Sequence, residues 1–248
     1  MIAKDNLNNW TINTAFGEDL PGSYYRPVSA TSSDESISVY FRNLEDELLS
    51  KINEYPIVVG CIAWLTNEKI LKALSAKSRV SIIIQKEDFL RPDVGNWSGK
   101  KLRRLYGDLP PGPRNNNAYA EIWGNLLSQL NYGYAWEAEP IRWAGNFNTE
   151  KNPAFPRMHN KFLVFCDENS VSTKYEDLHL IEPKSVWTGS FNLTNNATQS
   201  LENAIYVKDS KIVEAYFAEW QYIFGLSESI PNEFWEMKWS PSDFRIGT

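Results

Sequence analysis

The chain has 248 residues, enough to bury one substantial core as a single domain or one elaborated domain. A formal charge of -6 gives no global attraction to nucleic acid or to an anionic membrane, and the 10 Trp, 12 Tyr and 12 Phe make the composition unusually aromatic. The charge is nevertheless polarised: residues 91–161 hold ten Lys/Arg and six Asp/Glu, a local +4, which leaves -10 for the remainder.

Residues 1–35 are polar and punctuated by Gly17 and Pro21-Gly22, so they read as an irregular arm, with Trp10, Tyr24 and Tyr25 packing parts of it down. Ile37–Phe41 is a strand by composition. Leu44, Leu48, Leu49 and Ile52 then fall on one helical face behind the capping residue Asn43. Pro56–Leu65 is a continuous apolar strand, and Ile70, Leu71 and Leu74 mark the following helix. Val80–Ile84 is a second buried strand. Strand, helix and strand with nearly continuous apolar strands indicate an α/β architecture, a mixed and largely parallel sheet sandwiched between helices.

Residues 91–137 read as a helical insertion. Lys100, Lys101, Arg103 and Arg104 lie on a short helix, a Pro110-Pro111-Gly112-Pro113 break follows, and Ala118–Leu130 forms a second helix. Ile141-Arg142-Trp143 fits a strand. Residues 166–184 form a polar excursion with the character of an extended hairpin, and His179 within it is read as structural or exposed. A short helix is expected over 194–200 and a strand over Ala204–Val207. A last helix carries the stripe Ile212, Val213, Tyr216, Phe217, Trp220 and Phe224. Cys61 and Cys166 sit in apolar strands and read as reduced, buried thiols. The N-terminus lacks the apolar run of a signal peptide and no stretch is long enough to span a bilayer, so a cytoplasmic location without integral membrane association is expected.

The chemistry concentrates in Arg157-Met158-His159-Asn160-Lys161 and, after the polar excursion, in Gly189-Ser190-Phe191-Asn192-Leu193-Thr194. On a strand the side chains at i and i+2 share a face, so His159 and Lys161 project together. A Gly-Ser turn then presents Asn192 from a second strand end. An imidazole, an ammonium and an amide converging on one point form a cradle for a phosphate group.

His-x-Lys, then Gly-Ser-x-Asn, then Glu202 a few residues on, resembles the half-site motif of the phospholipase D superfamily. The run from Gly189 to Thr194 with Glu202-Asn203-Ala204 is especially similar to its small bacterial endonucleases. The resemblance covers residues 158–207. The family usually places an aspartate after four residues beyond the lysine, and here that position is Cys166, with Asp167 next. The resemblance implies a phospholipase D-like catalytic domain over 36–248, with 91–137 inserted and 227–248 as a C-terminal tail.

It also implies roles. His159 is the nucleophile that forms a phosphohistidine. Lys161 stabilises charge on the phosphate oxygens, and Ser190, Asn192 and the N–H groups of the helix expected after Thr194 donate to them. Glu202 fixes the tautomer of a histidine. One His-x-Lys per chain implies a homodimer with a composite site across a two-fold axis, and no metal or other cofactor is required. The basic residues Lys100, Lys101, Arg103, Arg104, Arg142 and Arg157 are candidates for a nucleic-acid backbone groove. The expected activity is metal-independent cleavage of DNA or RNA, with specificity from particular ends or structures, or from a protein partner in defence or restriction. A phospholipid-acting enzyme, anchored through the tail Phe234–Trp239, and a silent binding or assembly module are the alternatives.

Overall fold

Two runs dominate the folding of this chain, Ile57–Ile62 and the first six residues of Lys161–Ser172, because nearly every side chain in them is buried. Side chains that alternate across a strand and are buried on both faces require cover on both sides of the sheet. The computed structural model describes residues 29–90, 97–112, 139–147, 155–172 and 177–230. In chain order the elements are β1 (Ser29–Thr31), β2 (Ile37–Tyr40), α1 (Leu44–Glu54), β3 (Ile57–Ile62), α2 (Glu68–Ser75) and β4 (Arg79–Gln85). They continue with α3 (Trp97–Gly107), β5 (Ile141–Ala144), β6 (Lys161–Ser172), β7 (Asp177–Gly189), β8 (Ala204–Val207), α4 (Ser210–Gly225) and β9 (Glu228–Ser229).

The strands form one nine-stranded sheet in the order β1-β2-β8-β7-β6-β3-β4-β5-β9, which puts β6 at its centre. Val58, Ile62, Val80, Ile82, Ile84, Leu163 and Phe165 point to one face, where the apolar sides of α1, α2 and α3 meet them. Ile57, Val59, Cys61, Ile83, Val164 and Cys166 point to the other, under Val213, Trp220 and Phe224 of α4. Each fully buried Leu, Ile or Val of this kind contributes about 1.5–3 kcal/mol. Gly60 is required where β3 meets β6, since a Cβ there would stand 2.3 Å from the Phe162 carbonyl oxygen.

The sandwiched mixed sheet is as expected, but among the described strands the parallel pairs are β3–β4 and β4–β5. The β6–β7 hairpin enters antiparallel to β3 and carries β8, β2 and β1 outward in antiparallel ladders. At the two edges, Ser29–Thr31 of the expected N-terminal arm and Glu228–Ser229 of the expected tail are sheet strands, paired with β2 and β5. The expected helix over 118–130, the remainder of the arm and the aromatic tail after residue 230 lie outside the described residues.

Two local expectations are corrected. Asn43 precedes α1 in the left-handed region (φ 55°) and its side chain makes no cap bond, so the acidic first turn Glu45-Asp46-Glu47 complements the helix dipole instead. The short helix expected over 194–200 is present only in part. Backbone bonds close only the three-residue 3-10 turn Ala197–Gln199, because Asn195 and Asn196 favour a turn. The cysteines are free and buried, and they sit four ladder positions apart, about 13 Å along the strands, beyond bridging distance. Burial raises both thiol pKa values.

Asn67 shows how the helices are tied to the sheet. Its fully buried side chain accepts from the Lys69 and Ile70 N–H groups at the start of α2 and donates to Glu45 of α1, at 2.6 Å. Asn67→Ala removes a helix cap and a buried hydrogen bond, and is expected to lower stability by about 1–2 kcal/mol. Urea unfolding would show a lower midpoint with an unchanged slope.

Candidate active site

The parallel strands β3, β4 and β5 all end at one edge of the sheet, the same edge at which β6 begins, β7 ends and β8 begins. In open α/β sheets that edge is where ligands bind. A buried glutamine organises the approach to it. Gln85, at the end of β4, accepts from Met158 N–H at 2.6 Å and donates to the Asn146 carbonyl at 2.9 Å. Gly145 bridges to Arg157 with φ 85°, and a Cβ there would meet the Gln85 Oε1 at 2.6 Å. The chain is thereby held at Met158 and Arg157, one and two residues before His159.

His159 is exposed and Lys161 is half-buried. The Lys161 Nζ lies 3.3 Å from His159 Nδ1 and donates to the His159 carbonyl at 3.1 Å. Pairing of Ile62 with Lys161, and an Ala63 N–H bond to the Asn160 carbonyl at 2.9 Å, fix where the two side chains leave the sheet. Partial burial, then the charges of Lys161 and Arg157, hold the His159 pKa below its ordinary 6.5. Burial also lowers Lys161, with Glu202 opposing.

The second motif arrives on the neighbouring strand. Phe162 pairs with Thr188, whose hydroxyl donates to the Lys161 carbonyl at 3.2 Å. At Gly189 a Cβ would stand 2.3 Å from the Asn203 carbonyl oxygen, so only glycine lets β7 meet the start of β8. Ser190 donates its hydroxyl proton to Glu202 and accepts from Asn203 N–H at 3.1 Å. Within one chain Glu202 therefore bonds Ser190 rather than His159. The serine proton is committed to that carboxylate, not free for a phosphate as expected.

The Asn192 turn is held by Leu193, whose N–H donates to the Trp64 carbonyl at 3.0 Å and whose carbonyl accepts from Thr66 and Asn67 N–H. The Asn192 side-chain oxygen is buried and has no hydrogen-bond partner among the described residues. The 3-10 turn after Thr194 begins only at Ala197, whose N–H donates to the Thr194 hydroxyl at 3.2 Å and is not available to a phosphate. Cys166 lies five residues along β6 from Lys161, about 16 Å, and faces the α4 core. The position that carries aspartate in the resemblance is thus remote from the imidazole, and Asp167 beyond it approaches Lys184 at 4.0 Å.

The basic set separates. Lys100 and Arg104 face solvent on α3, Lys101 pairs with Glu68, and Arg103 donates to the Leu90 carbonyl at 3.0 Å. Arg142 is corrected: its guanidinium, 6% exposed, is held by Ser227, Ser229 and Glu139, where it fastens β9 to β5. Arg157 stays beside the site, 3.5 Å from Glu87. Sequence reasoning gave no role to Gln85, Thr188, Trp64 and Glu87. Gln85 alone among these carried a signal, as a polar residue closing an apolar strand.

The mixed sheet flanked by helices agrees with the comparisons. The chain belongs to the phospholipase D superfamily: the family profile described as cardiolipin synthase, PLD-like domain, matches residues 49–223. An uncharacterized protein of Acanthamoeba polyphaga mimivirus, L381, is 33% identical over 213 residues, covering 79% of this chain and 68% of that one. Among solved structures, NucT from Helicobacter pylori is similar with a TM-score of 0.48 and 14% identity, over 78% of this chain and 98% of that one. Nuc from Salmonella typhimurium, a phospholipase D family member, has a TM-score of 0.47 and 19% identity, over 79% and 99%.

The cations beside His159 give a sign that can be checked. In proton NMR of a His179→Asn background, the remaining imidazole should titrate below 6.5, and Lys161→Met should move it upward by removing a positive neighbour. A titration at or above 6.5 in the parent would contradict this electrostatic picture.

Proposed function

We propose that the chain is a metal-independent phosphodiesterase acting on nucleic acid through a phosphohistidine at His159, in a site completed by a second copy. The observation that carries this reading is the pairing of exposed His159 with Lys161 at 3.3 Å, in a fold of the phospholipase D superfamily. An imidazole kept neutral by its cationic neighbours is a competent nucleophile.

The hydrogen bonding sets the order of events. While Lys161 donates to Nδ1, the ring proton of the neutral imidazole sits on Nε2, and that nitrogen cannot attack. A bound phosphate draws the ammonium onto its non-bridging oxygens and frees Nδ1. The Nδ1 position then takes the proton and donates it to a carboxylate, the role proposed for Glu202 of the second copy. Nε2 attacks phosphorus, and the leaving oxygen takes a proton from the second imidazole of the dimer. Water then displaces the histidine, its proton passing to that same base. Asn192 supplies amide donors. The single His-x-Lys of the chain supports completion of the site by a second copy. Exposed Lys100 and Arg104 support a polyanionic substrate over a lipid.

Labelled single- and double-stranded DNA and RNA incubated in EDTA should be cleaved, with a covalent adduct trapped on rapid denaturation in detergent at alkaline pH. His159→Ala should abolish both, lowering the rate by on the order of 10³-fold or more. Lys161→Met should cost about 10²–10³-fold. Phosphatidylglycerol vesicles cleaved in place of nucleic acid, or activity from a strictly monomeric protein, would overturn this reading.

A further inference from the structure

The side chains around His159 come from four adjacent strand ends, and three of them have no part in the mechanism above. Trp64 follows β3, Glu87 follows β4, and Arg157 lies between β5 and β6, two residues before His159. The Trp64 ring stands at 87° to the imidazole with ring centroids 5.8 Å apart, an edge-to-face contact that constrains the plane of the imidazole. The indole N–H donates to Glu87 Oε1 at 2.8 Å, and the same oxygen is 3.5 Å from Arg157 Nη2. One carboxylate oxygen therefore holds both the ring that touches His159 and the guanidinium that lies beside it. Glu87 is only 16% exposed, and the Arg157 Nε is buried without a partner, so neither group is an ordinary solvated surface charge. Trp64 reaches the other half of the site as well, since its carbonyl accepts from Leu193 N–H directly after Asn192.

Resting on the phosphohistidine reading of His159, we propose that Glu87 is a positioning residue. It fixes the imidazole of His159 through Trp64 and holds the Arg157 charge at a set distance from that ring. An edge-to-face wall leaves the imidazole free to rotate within its own plane only if the wall moves too. Anchoring the indole N–H therefore keeps Nε2 aimed at one place. The carboxylate works in the same direction on charge. His159 faces the cations Lys161 and Arg157, with Glu202 acting on Lys161 and Glu87 on Arg157.

Three variants separate these roles. Trp64→Phe keeps a ring but removes the N–H. Glu87→Gln keeps an acceptor for the indole but removes the charge, and Glu87→Ala removes both. Bis(p-nitrophenyl) phosphate hydrolysis reads kcat and KM, and imidazole NMR in the His179→Asn background reads His159 whether or not the protein cleaves anything. Glu87→Ala and Trp64→Phe should lose about tenfold to a hundredfold in kcat with KM little changed. Glu87→Gln should retain most of kcat, while its His159 titrates at lower pH because Arg157 is no longer balanced. If Glu87→Ala fails to fold, the Glu87→Gln titration and the Trp64→Phe kcat still decide the matter. Variants with kcat within about twofold of the parent and an unmoved His159 titration would overturn the proposal. Shifted titrations in a protein that hydrolyses no diester would leave Glu87 as the positioning residue and remove the phosphohistidine reading instead.

Discussion

The antiparallel ladder between β3 and β6 is the constraint on which the rest depends. Both strands are buried on both faces, so a slip of one residue would exchange every side chain between the α1–α3 core and the α4 core. Gly60 admits the Phe162 backbone at a distance that no other residue allows. With that register fixed, Lys161 must stand opposite Ile62, at the last pair before the sheet ends. The reactive pair is thus positioned by packing that extends well away from it.

The fold was legible where composition was extreme. The apolar runs of β3, β4 and β6, the stripe of α4 and the β6–β7 hairpin all lie where periodicity placed them. Pairing direction was less legible, because a strand buried on both faces reads the same whichever way its neighbour runs. The expected helix over 194–200 is cut to the 3-10 turn Ala197–Gln199 for a local reason: Asn195 and Asn196 satisfy turn geometry at once, whereas a helix of so few residues repays its nucleation poorly. Arg142 was misjudged because charge alone does not reveal burial. It lies on a buried strand and is met by Ser229 of the partner strand β9 and by Ser227 just before it.

At the site, His159, Lys161, Asn192 and Ser190–Glu202 were legible as a motif, and the structure gathers them around the ends of β6 and β7. The supporting residues were not legible, since a lone Gln85, Trp64 or Glu87 has no spacing that marks it. They become visible only when four strand ends meet. The chain holds its reactive segment from both sides: Gln85 fastens the approach through Met158, and Thr188 fastens the exit through the Lys161 carbonyl. An exposed histidine between two such anchors has little backbone freedom despite its contact with solvent. That arrangement suits a group that must be reached by a large substrate without losing its aim.

The two thiols have a use that is independent of catalysis. Cys61 stands opposite Phe162 near the site end of the central ladder, and Cys166 stands opposite Ile57 at its far end. Both are buried and held protonated, so an alkylating reagent reaches them only when the strands part. Their separate labelling rates therefore time the opening of each end of the β3–β6 seam. The native chain carries a pair of clocks on its own central ladder, one near the reactive edge and one remote from it.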